Sequence, residues 1–474
     1  MAKSLTPNMK NQTKIFTSTI TSLYTIYSNK MIRGCAIRST RRLTGRRFVS
    51  TSNSQTKYTT LSNGVTVATE ANPHATSSTV GLFIGAGSRS EHPYSNGISA
   101  LTTNILASGL ENGVLLSAQN GREVNGVIAQ TTNDNVAEAG KLIAKLASNT
   151  TAALEKADFA AHKANLIQQA EALEANPSSK VLEHLNASAF QGYSLGLPTL
   201  GTSDSIKDLE IQDSIRLLER QLIGANTVVA ASGNFTHETL VEAIEANLKV
   251  AQGLKPQVKP ATFLGSEVRM RDDTMPIAQI SIAVQGEGIT SPAYYVAKVG
   301  AAIFGDFDQN SAIAGFTSPK LASIVQEYHI VDKYTHFSQS YSDTGLWGFN
   351  AEISNIHAID DFCHFTLKEW NRLSVSITNA EVARGKAAVK TALLRELNSS
   401  NAIASDIGSK VLLAGYRTSI AESLERIDAI TTKDVKAWAQ AALWDKDIVV
   451  SGTGQIEGLL DYNRNRNEMA MLRW

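Results

Sequence analysis

A chain of 474 residues, 43 % of them hydrophobic, is long enough to build two or more packed domains. Its formal charge is zero, 44 basic residues against 44 acidic, yet residues 1–50 contain no acid at all and Glu70 is the first one in the chain. Without that stretch, 34 basic and 44 acidic residues remain, a net charge of −10, which argues against a nucleic-acid-binding body. Two cysteines, Cys35 and Cys363, exclude a disulfide framework. No run of about twenty apolar residues is present, so no membrane-spanning helix is expected.

Arg33, Arg38, Arg41, Arg42, Arg46 and Arg47 alternate with Ser, Thr and scattered apolar residues. That is the composition of a mitochondrial presequence, in which positive charge responds to the inner-membrane potential. Residues 1–50 are therefore set outside the fold, and the mature N-terminus is expected between residues 48 and 57. From Tyr58, Thr59-Thr-Leu-Ser-Asn-Gly-Val-Thr-Val-Ala-Thr reads as two strands around an Asn63-Gly64 turn. Ser78-Thr-Val-Gly-Leu-Phe-Ile then predicts a strand running into turn glycines at Gly85 and Gly87.

Further along, the chain repeats itself at an offset of 221 residues. Ser205-Ile-Lys-Asp-Leu-Glu-Ile-Gln-Asp, a helical run to Leu222 and Thr227-Val-Val-Ala-Ala-Ser-Gly are matched without a gap. The second copy is Arg426-Ile-Asp-Ala-Ile-Thr-Thr-Lys-Asp, a run to Leu443 and Ile448-Val-Val-Ser-Gly-Thr-Gly. Asp213 meets Asp434, and Gly233 meets Gly454. Thr431 and Asp434 predict a capped helix start, followed by a buried stripe at Ala437, Trp438, Ala441 and Ala442. The openings agree more loosely, Ser78–Gly87 resembling Ile280–Gly288. Between the copies, Ala251-Gln-Gly-Leu-Lys-Pro-Gln-Val-Lys-Pro-Ala has a linker's composition. The reading is two homologous tandem α+β domains, residues 55–250 and 262–474, joined by 251–261. Each is a mainly antiparallel sheet packed with helices.

Common catalytic signatures are missing. After Gly85-Ala-Gly come Arg89, Glu91 and Pro93, which make a turn rather than a dinucleotide-binding helix start, and Gly452–Gly458 leave too few residues for a crossover unit. No two of the nine histidines stand four apart around a metal, and no Gly-x-Ser-x-Gly elbow or Walker loop occurs.

Gly87-Ser-Arg-Ser-Glu-His-Pro-Tyr-Ser-Asn-Gly resembles the inverted-zinc-motif peptidases, the family that includes the mitochondrial processing peptidase. Leu195-Gly-Leu-Pro-Thr-Leu-Gly-Thr, Tyr341-Ser-Asp-Thr-Gly-Leu-Trp-Gly and Val449-Val-Ser-Gly-Thr-Gly extend the likeness over residues 57–474. The resemblance implies two tandem metallopeptidase-like rolls. Within the family, Phe263-Leu-Gly-Ser-Glu-Val-Arg-Met-Arg-Asp-Asp and the ending from Gly454 to Arg473-Trp474 are most similar to the fungal core proteins of respiratory complex III.

In active members the Asn-Gly pair precedes a His-x-x-Glu-His helix by two residues. Aligned from Asn96-Gly97, the first His position holds Ala100, the general-base Glu position Thr103 and the second His position Asn104. The distal Glu ligand aligns near Gln169. Zinc takes imidazole, thiolate or carboxylate donors, and none of these four residues supplies one. The resemblance thus implies a degenerate site, no catalytic residue, no metal and no other cofactor. It implies a scaffold subunit on the matrix side of the inner membrane, peripheral to the membrane through protein partners. Those partners would be a second core protein, cytochrome b, cytochrome c1, the Rieske protein and small subunits. The alternative is the non-catalytic subunit of the processing peptidase, which carries a Gly-rich loop; here Ile303–Gly315 has only scattered glycines.

Overall fold

The computed structural model describes residues 56–108, 110–111, 113–312, 314 and 319–470. The presequence with Cys35, the terminal Arg473-Trp474, and Ile313 and Gly315 of the loop segment lie outside the described residues. The expected hairpin forms: β1 (Lys57–Thr60) pairs antiparallel with β2 (Thr66–Ala71), and Gly64 takes φ 88° in the turn, a left-handed conformation that suits glycine. Strands β3 (Ser78–Ile84), β4 (Leu110–Glu111), β5 (Val114–Gln119), β6 (Asn125–Thr131) and β7 (Thr227–Gly233) complete a seven-stranded sheet in the order β1-β2-β7-β3-β6-β5-β4.

A second sheet holds β8 (Ser266–Arg271), β9 (Ala278–Gly286), β10 (Asp306–Asp308), β11 (Lys333–Ser340), β12 (Gly345–Ile353) and β13 (Val449–Gly454), ordered β10-β11-β12-β9-β13-β8. Read from β8, that order reproduces the first sheet from β2 onward. Each sheet is open and mixed. It contains one parallel pair, β2 with β7 or β8 with β13, and is otherwise antiparallel. The repeat seen in the sequence is thus a repeat in space. Leu82 pairs with Val229 and Ile282 with Val450, so the opening strands correspond at an offset of 200.

One face of each sheet is covered by helices from its own half. Val67, Leu82, Val127 and Val229 pack with Ile143 of the helix Val136–Ser148 and Leu240 of the helix His237–Glu245. In the second half, Ile280, Trp347, Phe349 and Val450 pack with the helices Tyr294–Phe304, Ile359–Val375 and Thr432–Ala442. The last of these begins as expected, Thr431 N–H donating to Asp434 Oδ2 at 3.0 Å, and Asp213 does the same for Glu210 N–H at 3.1 Å. The buried stripe, however, is Val435, Trp438, Ala439 and Leu443; Ala437 and Ala441 are exposed. Trp438 and Ala442, which packs against the core, were expected there; alanine fits either side of a helix, so spacing misplaced Ala437 and Ala441.

The opposite faces are covered by exchange. The helix Ser400–Ala414 of the second half lays Ile407, Val411 and Leu412 on Ala68, Phe83, Ile128, Val228 and Ala230 of the first sheet. Reciprocally, the helix Pro177–Ala189 lays Leu185 and Ala189 on Ala283, Leu346 and Val449 of the second sheet. Another duplicated device is a lysine near each exchange: Lys163 Nζ donates to the carbonyls of Lys207 and Leu209, and Lys386 Nζ to those of Asp428 and Ile430.

Candidate functional site at the junction of the two halves

The segment Gly87–Gly97 leaves β3, makes two short turns and delivers the chain to the helix Ile98–Leu106. Glu91 folds back under the start of that helix. Its carboxylate accepts from the N–H groups of Gly97 (2.9 Å) and Ser99 (2.7 Å), from Ser99 Oγ (2.5 Å) and from Asn96 Nδ2 (2.7 Å). A buried anion at the positive end of a helix satisfies amides that have no intrahelical partner. Burial raises the Glu91 pKa against the opposing pull of those donors. Gly97 has φ 97°, and a Cβ there would meet the Leu200 carbonyl, so glycine is required both for the turn and for the close approach of the Leu195–Thr202 segment. Asn96 Nδ2 donates to Pro198 O at 3.0 Å, and Ser205 Oγ to Asn96 O at 2.9 Å.

Arg89 turns the other way, into the junction, with its side chain 4 % exposed. Its guanidinium donates to Glu123 (2.7 Å), to both oxygens of Asp343 (2.8 and 2.7 Å), to Ser342 Oγ (3.0 Å) and to the Lys259 carbonyl (2.9 Å). Glu123 binds the second half directly, accepting from Ser342 N–H at 2.8 Å, and Tyr341 O–H donates to Asn186 Oδ1 at 2.7 Å. Arg122 donates to the carbonyls of Leu195 and Leu197 and to Glu183 at 2.6 Å. Burial alone would raise the Asp343 pKa, but Arg89 and the Ala261 N–H hold it below the usual carboxylate range. Three segments that the sequence singled out, 87–97, 195–202 and 341–348, therefore meet at one place and tie the halves together. Sequence reasoning placed Arg89 and Glu91 in a turn and gave Arg89 no partner, because nothing local shows that Asp343 lies about 250 residues away.

The four expected site residues separate. Ala100 is fully buried among Ile98, Leu101, Ile105, Leu154 and Leu166. Thr103, one helical turn on, donates from Oγ1 to Ser99 O at 2.8 Å and accepts from Asn125 Nδ2 at 3.2 Å. Asn104 is half-buried and accepts from Asn120 Nδ2 at 3.1 Å. Gln169 sits on the exposed face of the helix Phe159–Ala175, next to buried Ala170, and no hydrogen bond among the described residues joins it to the other three. Ala100, Thr103 and Asn104 thus share one helix whose polar groups are already bonded to neighbours. The set does not fit zinc, since it comprises a methyl group, a hydroxyl and two neutral amides. Among the described residues, no three His, Cys, Asp or Glu side chains gather as a metal site. A cleft of about 470 Å³ opens beside the junction, lined by Arg122, Glu183, Asn186, Tyr341, Ser409 and Leu413. Cys363 is buried and its thiol is pushed up to about 12 by that burial, which leaves it inert.

Two tandem sheets of one topology, with a helix-capping Glu between β3 and the first long helix, point to a known family. Residues 66–203 match the family described as Insulinase (Peptidase family M16), and residues 209–389 match the Peptidase M16 inactive domain. The chain belongs to peptidase family M16. Among M16 relatives, it is 65 % identical to the "Cytochrome b-c1 complex reductase subunit, mitochondrial" of Candida albicans, over 94 % of this chain and 100 % of that one. It is 43 % identical to the "Cytochrome b-c1 complex subunit 1, mitochondrial" of Saccharomyces cerevisiae, over 88 % and 94 %. Identity falls to 37 %, over 90 % and 98 %, for the "Probable mitochondrial-processing peptidase subunit beta" of Schizosaccharomyces pombe. A chain of the solved "Complex III2 from Candida albicans, Inz-5 bound" superposes with a TM-score of 0.86 at 66 % identity, covering 87 % of this chain and 99 % of that one. In this M16 chain the recognisable motif is retained as structure: Glu91 caps a helix and Arg89 clamps the halves.

Proposed function

We propose that this chain is a non-catalytic core subunit of the mitochondrial cytochrome b-c1 complex, respiratory complex III. It lies on the matrix side of the inner membrane, pairs with a second core protein, and supports the subunits that carry electrons from ubiquinol to cytochrome c. The supporting observation is the nearly end-to-end fit to a chain of a solved complex III. Among the described residues no helix is long and apolar enough to cross a membrane, consistent with attachment through other subunits. Pairing with a second core protein calls for a large obligate interface, on the order of 2,000 Å² or more.

Ala100, Thr103, Asn104 and Gln169 are read as the remains of the family's zinc site. Without an imidazole or carboxylate donor the metal is not held, no bound water is acidified, and Thr103 cannot replace a general base. The domains run from 55 to 250 and from 262 to 474, with 251–261 as linker, and residues 1–50 are removed as a presequence. Thr56 and Tyr58 support a cut upstream of β1, since Arg417 bonds both residues: its guanidinium to Thr56 Oγ1 and its N–H to Tyr58 Oη.

Purification of the tagged chain from mitochondria, followed by mass spectrometry, elemental analysis and N-terminal sequencing, tests the reading. Cytochromes b and c1 and a second core protein should co-purify, without stoichiometric zinc and with an N-terminus between residues 48 and 57. Recovery with a processing-peptidase subunit and no cytochrome would move the chain to the alternative role. One tightly bound zinc per chain would overturn the degenerate site.

A further inference from the structure

Each sheet of this protein is finished by a helix from the other half. The apolar face of the first sheet formed by Ala68, Phe83, Ile128, Val228 and Ala230 has no other cover than the helix Ser400–Ala414 among the described packing clusters. The Phe83 ring is held by three glycines. Gly81 and Gly126 flank it from its own strand and from β6, and Gly408 of the exchanged helix meets it so closely that a Cβ there would collide with the ring. The return exchange seats Leu185 and Ala189 against Ala283, Leu346 and Val449. Buried charges follow the same plan. Arg417, beyond the exchanged helix, pairs with Glu70 of the first sheet and at 2.7 Å with Asp406, while Arg89 of the first half pairs with Asp343 of the second. Residues 54–474 correspondingly form one compact unit.

We infer that the two halves are an obligate pair: neither sheet is stable without the helix that the other half supplies, and the linker between them is dispensable once they have assembled. A half deprived of its exchanged helix leaves an apolar sheet face without cover, which disfavours the folded state. The linker holds neither helix nor strand from Gln252 to Gly265, and Leu254 is 91 % exposed. Its contacts lie to either side of the Leu254–Lys255 bond, Gln252 with the Ser62 carbonyl before it, and Lys255 with the Leu412 carbonyl and Ala261 N–H with Asp343 after it, so cutting there removes none of them.

The test uses the full-length mature protein with a protease recognition sequence inserted between Leu254 and Lys255, cut after folding. The two fragments should co-elute as one species of unchanged size and melt in a single transition. Separation into two folded species, or two independent transitions, would overturn the inference. A second arm follows amide hydrogen exchange in uncut protein carrying Val411→Ala, a small cavity in the exchanged helix that the fold tolerates. Protection of β3 and β7, in the other half, should fall by about tenfold or more along with that of the helix. Loss confined to residues 400–414 would show the halves to be energetically separate. Leu185→Ala is the mirror experiment, with β9 and β13 as the reporting strands.

Discussion

The two exchanged helices occupy equivalent places on sheets of the same topology, yet their seats differ in chemistry. Ser400–Ala414 lies on an apolar face around Phe83, and the ion pair that ends it, Arg417 with Glu70, is almost wholly enclosed, the Arg417 side chain being 1 % exposed. Pro177–Ala189 lies on a more polar face. Asn186 takes the Tyr341 hydroxyl, Ser178 takes Asn350 Nδ2 at 2.7 Å, and the flanking ion pair, Arg122 with Glu183, leaves Glu183 34 % exposed. A cavity of about 570 Å³ opens beside this second seat, and the cleft of about 470 Å³ runs between Glu183 and Asn186 of this helix and Ser409 and Leu413 of the other. Duplication has kept the geometry of the exchange while letting one seat close around Phe83 and the other carry polar side chains and a part-exposed ion pair. The first seat should therefore contribute most to stability, and the second should be where substitutions are tolerated.

The largest expected effect comes from breaking the closed seat. Phe83→Ala removes a ring packed against three glycines that cannot fill the space, and should cost about 3–5 kcal/mol in denaturant unfolding. Arg417→Met removes the enclosed guanidinium that pairs with both Glu70 and Asp406 and should cost about 3–5 kcal/mol by the same measurement. The matching change at the open seat, Arg122→Met, should cost about 1–2 kcal/mol, because Glu183 reaches solvent and mainly the two carbonyl hydrogen bonds are lost. Equal losses at Arg417 and Arg122 would contradict the division into a closed and an open seat.

A pH titration sharpens the contrast further. Burial pushes the Tyr341 hydroxyl up to about 12 from an ordinary value of 10.0. The folded protein therefore holds this proton more tightly than the unfolded chain does. The associated stability is fully present below pH 10 and is lost at about 1.4 kcal/mol per pH unit as pH rises toward 12. Tyr341→Phe should flatten that alkaline slope while costing only about 0.5–1.5 kcal/mol at neutral pH, the net worth of the bond to Asn186. An unchanged slope would mean that another group controls it. The smallest effects are expected at the duplicated lysines. Lys163→Ala and Lys386→Ala should each cost about 0.5–1 kcal/mol and do so alike, since each caps the carbonyls of one short helix end.

Much of the architecture was legible in the chain. The 221-residue repeat gave two homologous halves, and the turn at Asn63-Gly64 and the strands at β3, β7 and β13 fall where alternation and glycine place them. Asp434 reaches back to Thr431 as its spacing suggests. The motif at Gly87–Gly97 was readable because its residues do local work: Glu91 bonds amides six and eight positions away, and Gly97 allows a turn. Less was legible wherever small or polar residues carry the packing. On Thr432–Ala442 the expected stripe holds at Trp438 and Ala442 but not at Ala437 and Ala441, since alanine fits buried and exposed positions equally. Of the four expected site residues, Ala100, Thr103 and Asn104 fell on one helix because the motif fixes their register. Gln169 was placed only by its distance before Val181-Leu-Glu-His-Leu, and it lies on an exposed surface.

The sequence by itself thus determined the halves, most of their strands and the absence of zinc-type donors at Ala100, Thr103 and Asn104, for these depend on residue type and on spacing along the chain. Tertiary structure alone decided that each half completes the other. Spacing on Ser400–Ala414 marks Ala404, Ile407, Gly408, Val411 and Leu412 as one buried face, but periodicity tells only that a face is buried and never what covers it. That partner, Phe83, stands more than three hundred residues away, and only the folded chain brings it under Gly408.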